Sequence, residues 1–159
     1  MPRRGDGPRA DVGRLYDLYG ATLYRYALMI LADAAGAEDA VQQVFLALLG
    51  RQGAAAIDDE PHYLRRAVRN ECYSALRRRV RASEGPLLDA VGPDSRPDER
   101  LALERVIREL PPDQREVLHL HVFEGLTFQE VAALSGESIN TIASRYRYAV
   151  AKLRQALAT

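Results

Sequence analysis

Asn140, Thr141, Ser144, Arg145 and Arg147 lie close together and supply amide, hydroxyl and guanidinium groups of graded reach. Set along one helix, such groups hydrogen-bond to base edges and phosphate oxygens. Ser138 joins them as the residue that opens the helix. From Ser138 onward the chain carries Arg145, Arg147, Lys152 and Arg154 and no acid. A face that needs only solubility normally mixes signs. Just upstream, Thr127-Phe-Gln-Glu-Val-Ala-Ala-Leu-Ser135 reads as a short amphipathic helix, followed by a tight turn carrying Gly136. Thr127 is placed to cap that helix, with Glu130 as its capping-box partner. Val131, Ala132, Leu134, Ile139, Ile142 and Leu153 are the apolar positions expected to pack the two helices together, leaving the polar set outward. This is the helix-turn-helix layout, whose second helix presents its N-terminal residues to a DNA major groove.

Other reactive residue types form no comparable pattern. His119 and His121 stand two apart, so one helix sends their imidazoles to different faces. Cys72 is alone, which excludes an intramolecular disulfide and a cysteine zinc site. The chain has no glycine-rich phosphate loop, no HExxH motif and no Ser/His/Asp arrangement in a recognisable context. Glu38/Asp39 and Asp58/Asp59/Glu60 are paired acids better explained as caps and solvated surface. The chain is therefore read as a non-enzyme, with no catalytic residues, no metal and no cofactor.

The elements that must position the polar set follow from composition and breaks. With 159 residues, 47% of them hydrophobic, the chain holds one ordinary domain or two small ones. The formal net charge of zero conceals separated blocks. Tyr63 to Ala82 carries Arg65, Arg66, Arg69, Arg77, Arg78, Arg79 and Arg81 against Glu71, whereas Asp33 to Glu60 carries six acids against Arg51. Two basic segments can each hold phosphate while acidic surfaces face another partner. No stretch has the apolar length of a membrane span, and the first residues lack the apolar run of a signal peptide. A cytoplasmic protein without membrane insertion is expected.

Residues up to about Asp11, rich in Pro, Gly and Arg, are expected to be disordered. Helical spacing of Leu15, Tyr16, Leu18, Tyr19, Leu23, Tyr26, Ala27 and Ile30 predicts a helix over Val12 to Leu31. Asp33-Ala-Ala-Gly36 interrupts it, and Ala37 to Leu49 resumes the pattern through Ala40, Val41, Val44, Phe45 and Leu48. Gly50 to Asp59 reads as a loop, and Pro61 precedes a helix from Tyr63 to about Val80. The segment 82–97, with Gly85, Pro86, Gly92, Pro93 and Pro97, reads as a flexible linker. Beyond it, a helix ends at Pro111-Pro112, and Asp113 is placed to cap the next, which runs through Val117, Leu118, Leu120, His121 and Phe123 to Gly125. The expected fold is all-α: helical domains over 12–81 and 98–159, the second containing the helix-turn-helix.

Five segments now occur in order ahead of that motif: Leu15-Tyr-Asp-Leu-Tyr19, Tyr24-Arg-Tyr-Ala27, Ala37-Glu-Asp-Ala-Val-Gln-Gln-Val-Phe-Leu46, Tyr63-Leu-Arg-Arg-Ala-Val-Arg-Asn70 and Leu110-Pro-Pro-Asp-Gln-Arg-Glu-Val-Leu118. On these the chain closely resembles the two-domain extracytoplasmic-function (ECF) sigma factors, members of the sigma-70 family of bacterial RNA polymerase. The resemblance implies a transcription initiation factor that binds core RNA polymerase and directs it to promoter DNA, with an anti-sigma factor as a further candidate partner. It implies polymerase docking by the helix holding Glu38, Asp39, Gln42, Gln43, Phe45 and Leu46. It implies that Arg65, Arg66, Arg69, Asn70 and Arg77 hold the opened minus-ten DNA, while Ser138, Asn140, Thr141, Ser144, Arg145 and Arg147 contact the minus-thirty-five element. Tyr146 and Tyr148 also lie on that helix, Tyr146 being assigned to packing. A different class of reading is a stand-alone helix-turn-helix regulator with an N-terminal dimerisation or sensing bundle. The docking motif Ala37–Leu46 discriminates, because a sensing bundle has no need of a polar, acidic face beside an arginine-rich helix.

Overall fold

The computed structural model describes residues 7–51, 57–82 and 99–158, all of whose regular elements are helical. They divide into two compact units, 1–82 and 83–159. The linker expected over 82–97 lies outside the described residues except for Ala82, which ends a helix.

In the first unit α1 (Gly7–Leu31), α2 (Ala34–Gly50) and α3 (Glu60–Ala82) each pack against the other two. The interior is closed by Leu23, Tyr26 and Ile30 from α1, Ala37, Val41 and Val44 from α2, and Leu64, Val68 and Cys72 from α3. Burying each larger aliphatic side chain contributes about 1.5–3 kcal/mol, so this shared core holds the three helices together. Two sequence expectations change here. The helix begins at Gly7 rather than after Asp11. Tyr16 and Leu18, though part of the apolar periodicity, are 56% and 58% exposed, because the core-facing stripe of α1 is narrower than the apolar pattern.

The break between α1 and α2 is shorter than Asp33–Gly36. Ala32 takes a left-handed conformation with φ of 53° and its N–H still reaches Leu28 O at 2.8 Å. Asp33 then caps α2, Oδ1 accepting the Ala35 N–H at 3.1 Å. The other carboxylate oxygen accepts from Arg79 Nη2 at 2.6 Å, and Arg79 Nη1 donates to Leu31 O at 3.2 Å. One arginine near the end of α3 thus ties the end of α1 to the start of α2. Gly36, inside the first turn of α2, leaves room for this: a Cβ there would stand 2.7 Å from both Arg79 Nη2 and Asp33 Oδ2.

The second unit contains α4 (Glu99–Glu109), α5 (Pro112–Leu118, continued by a π-helical turn His119–Phe123), α6 (Phe128–Ser135) and α7 (Ile139–Leu157). α7 packs against α4, α5 and α6. Leu110, Leu118 and Ala149 form a buried cluster there, with Ile107, Tyr146, Val150 and Leu153 against it. Pro111 and Pro112 supply no N–H, and the buried Arg115 takes over, its Nη1 donating to Arg108 O at 3.0 Å and Leu110 O at 2.6 Å. The cap position of α5 is Pro111, not Asp113; Asp113 lies within the first turn and accepts the Gln114 N–H at 2.8 Å.

The π-helical turn holds one residue more than an α turn and so changes the phase of the side chains beyond it. Phe123, expected on the apolar run, is consequently 66% exposed, as is Val122 at 54%. The two histidines diverge. His119 Nε2 sits 3.2 Å from Glu124 Oε1, whereas His121 Nδ1 contacts Leu126 O at 2.8 Å and its ring packs against Phe128 and Tyr146.

The α1–α2 junction generates a paired expectation for stability. Ala32→Gly relieves a left-handed alanine and should raise unfolding free energy by about 0.5–1 kcal/mol. Gly36→Ala gains helix propensity of about 1 kcal/mol, yet it must displace a cap worth about 1 kcal/mol and a partly exposed ion pair worth less than about 1 kcal/mol. It should therefore be neutral to destabilising. Urea unfolding of both variants checks the opposite signs.

Candidate nucleic-acid and polymerase interfaces

The helix-turn-helix is set by side-chain-to-backbone bonds at each helix start. Thr127 Oγ1 accepts the Glu130 N–H at 3.1 Å while Glu130 Oε1 accepts the Thr127 N–H at 3.1 Å, a reciprocal capping box. α6 ends at Gly136, whose φ of +74° suits a residue without Cβ and whose N–H reaches Ala132 O at 2.9 Å. Ser138 then caps α7, Oγ accepting the Thr141 N–H at 3.1 Å. The space between the helices is filled by Val131, Ala132, Leu134 and Ile142, with Leu153 half-buried further along α7. Ile139 departs from expectation at 49% exposure, because the first helical position after the cap points away from α6.

The six residues assigned to duplex contact occupy distinct situations. Asn140 and Arg147 are exposed, Arg147 Nη2 reaching back to Ser144 Oγ at 3.2 Å. Ser138 and Thr141 are engaged in the cap, their hydroxyl oxygens 3.0 Å apart. Thr141 and Ser144 are half-buried. Arg145 is not the open cation its sequence context suggests. Its Nε lies 3.2 Å from Asp113 Oδ2 and its Nη2 3.3 Å from Glu137 Oε1. The run from Ser138 contains no acid, but the fold brings two acids to it from outside α7. Tyr146 packs against Phe128 and His121, while Tyr148 is 65% exposed beside the polar set.

On α3, Leu64, Val68 and Cys72 form the buried stripe. Arg66, Asn70 and Arg77 recur on the opposite side and are exposed, Arg77 Nη2 donating to Ser74 Oγ at 2.9 Å. Arg65 and Arg69 stand at the margin, half-buried, with the Arg69 guanidinium 4.4 Å from the Tyr73 ring centroid. That cation–π contact adds Tyr73, which the sequence reading did not single out, to this surface. Of the expected loop 50–59, residues 52–56 lie outside the described residues; Arg51 Nη1 at its start donates a close hydrogen bond to the Tyr63 hydroxyl.

On α2, Glu38, Asp39, Gln42 and Gln43 are exposed, Gln42 Nε2 donating to Glu38 Oε1 at 3.4 Å. Phe45 is a correction: it is 6% exposed, its ring edge-on to Tyr16 with centroids 5.2 Å apart, so it belongs to the core and not to a docking face. Leu46, named with that helix from the sequence, and Leu49 are exposed, at 58% and 46%. With Asp39 and Gln42 they recur at helical intervals, so the face was readable from spacing once Phe45 was assigned inward.

Two family models match the chain. Sigma-70 region 2 matches residues 15–82, and sigma-70, region 4 matches residues 100–153. Among similar proteins, the ECF RNA polymerase sigma factor SigL of Mycobacterium tuberculosis is 31% identical over 153 residues, covering 90% of this chain and 86% of SigL. The ECF RNA polymerase sigma factor BldN of Streptomyces coelicolor is 30% identical over 170 residues; the alignment takes in 99% of this chain but only 64% of BldN. A solved sigma factor RpoE from Bartonella quintana, in complex with the anti-sigma factor NepR, superposes with a TM-score of 0.75 at 26% identity, covering 94% of this chain and 98% of that one. The chain belongs to the ECF sigma factors, alternative-sigma transcription initiation factors of RNA polymerase.

Proposed function

We propose that the two units divide promoter recognition, 12–81 docking on core RNA polymerase and holding the opened minus-ten DNA, and 98–159 contacting the minus-thirty-five element. The observation that carries this reading is the arrangement of exposed faces. α2 presents Asp39, Gln42, Leu46 and Leu49, α3 presents Arg66, Asn70 and Arg77, and α7 presents Asn140 and Arg147. The α2 face suits a partner that is itself basic and apolar. The α3 face suits a strand whose unstacking costs a few kcal/mol and must be offset by phosphate contacts and stacking. The chain acts in the cytoplasm and performs no bond chemistry; an anti-sigma factor is a candidate partner, the solved RpoE being in complex with the anti-sigma factor NepR. No described helix is long and apolar enough to cross a membrane.

In vitro transcription from a genomic library, with and without the protein added to core polymerase, tests the reading as a whole. Asp39→Arg combined with Gln42→Ala should abolish co-purification with core enzyme while helicity and melting temperature stay near wild type. Retained association by the folded double variant would remove the α2 face from the interface.

The two DNA faces should separate by footprint. Asn140→Ala or Arg147→Ala should weaken minus-thirty-five selectivity, a direct base contact being worth ~1–3 kcal/mol. Arg66→Ala or Arg69→Ala should instead reduce permanganate-reactive thymines in the open complex. Identical footprints from both sets would contradict the division.

The free protein should show little promoter selectivity. Each unit has one small basic face and the chain is neutral overall, so long-range attraction to duplex is weak. Core polymerase, by holding both units, turns two weak contacts into one bivalent contact. Anisotropy titration at physiological salt checks this; tight, sequence-specific binding by the isolated chain would favour the stand-alone regulator.

A further inference from the structure

Arg145 is the first cation met on α7 from its N-terminal end, and it has carboxylates on two sides. Asp113 reaches it from the first turn of α5 through Oδ2, its Oδ1 being used by the Gln114 N–H at 2.8 Å. Glu137 reaches it from the turn between α6 and α7. The Arg145 side chain is 21% exposed, against 39% for Asp113 and 42% for Glu137. Two carboxylates around one guanidinium leave this spot with an excess negative charge, where the sequence of α7 alone reads positive.

The cluster is not required to hold the helices together. α5 and α7 are already joined through the Leu118, Ala149 and Leu153 contacts. The separations of 3.2 and 3.3 Å are longer than the 2.6 Å of the Arg79–Asp33 and Arg14–Glu60 pairs. Pairs this exposed contribute little to stability. Their effect on an approaching phosphate is larger. A phosphate oxygen and a carboxylate make the same charge-assisted bonds to guanidinium, so the two compete for its donors.

We propose that Asp113 and Glu137 set the strength of the α7–DNA contact by acting as internal counter-ions of Arg145, which a backbone phosphate must displace. This rests on the reading of α6–α7 as a duplex-contacting unit. It makes weak binding by the free chain a built-in property of the second unit rather than a simple consequence of few cations. It also assigns Arg145 to phosphate positioning and leaves base readout to Asn140 and Arg147.

The test is anisotropy titration of the full chain against a fluorescein-labelled duplex of random sequence over a range of salt concentrations. Circular dichroism melts establish that each variant is folded. Asp113→Asn with Glu137→Gln should tighten binding roughly fivefold to tenfold, the order of one net hydrogen bond. The slope of log K against log salt should steepen by about 0.9, the value for one more neutralised phosphate. Adding Arg145→Ala to that background should cancel both changes. Glu137→Gln alone, on a surface turn, should give part of the gain and guards against misfolding of the double variant. The proposal is overturned if the gain survives Arg145→Ala, since charge removal alone would then explain it. It is equally overturned if folded acid-neutral variants bind no tighter than wild type. Arg147→Glu, a charge reversal on the same exposed face, serves as the reference: if it too leaves duplex binding unchanged, the duplex-contact reading itself fails, whereas a loss confined to it removes only the counter-ion role.

Discussion

The backbone groups left unpaired where one helix stops and the next starts constrain this protein throughout, because its helices are short or closely spaced and its two cores are small. A helix end leaves donors or acceptors without intrahelical partners, and a small domain has little buried apolar surface to offset leaving them unmet. Here side chains meet them: Asp33 at the start of α2, Arg79 on Leu31 O, Arg115 on Arg108 O and Leu110 O, Thr127 with Glu130, and Ser138. Each bond also fixes the angle at which the next helix leaves, so the same groups that satisfy the backbone aim the functional faces.

This accounts for why residues of one type serve different purposes. Arg77 and Arg79 belong to the same arginine run, yet Arg77 is exposed and Arg79 is bonded to the α1–α2 junction. Arg145 and Arg147 are two apart on α7, yet Arg145 is held between carboxylates and Arg147 is exposed. A guanidinium presents several donors in a planar fork, which suits a helix-end carbonyl, a carboxylate and a phosphate equally. Neighbours decide which one it takes. An accounting of DNA-binding cations from the sequence therefore counts some that the fold has already committed.

The parts of the molecule legible in the sequence are those governed by local chemistry. The three N-terminal helices, the capping box at Thr127, the left-handed turn at Gly136 and the cap at Ser138 depend on residues a few positions apart, and propensity and periodicity report on that range. The family was legible for a related reason: a polar, acidic helix, an arginine-rich helix and a helix-turn-helix in that order form one long pattern, spanned by the region 2 and region 4 matches.

What only tertiary structure decided concerns contacts between distant segments and the phase of side chains. Phe45 turned inward, its ring against Tyr16, while Leu46 and Leu49 on the same helix are exposed. Phe123 turned outward because a π-helical turn changed the phase, which no count of apolar residues at α-helical spacing would register. Arg145 acquired Asp113 from thirty-two positions earlier in the chain, a pairing invisible to any local charge count. The sequence by itself determined which helices form, how α6 and α7 are capped, and what family they compose, because backbone satisfaction and apolar periodicity are short-range. Which polar groups remain available to a partner was decided by the fold, because electrostatic pairing and burial act through space and not along the chain.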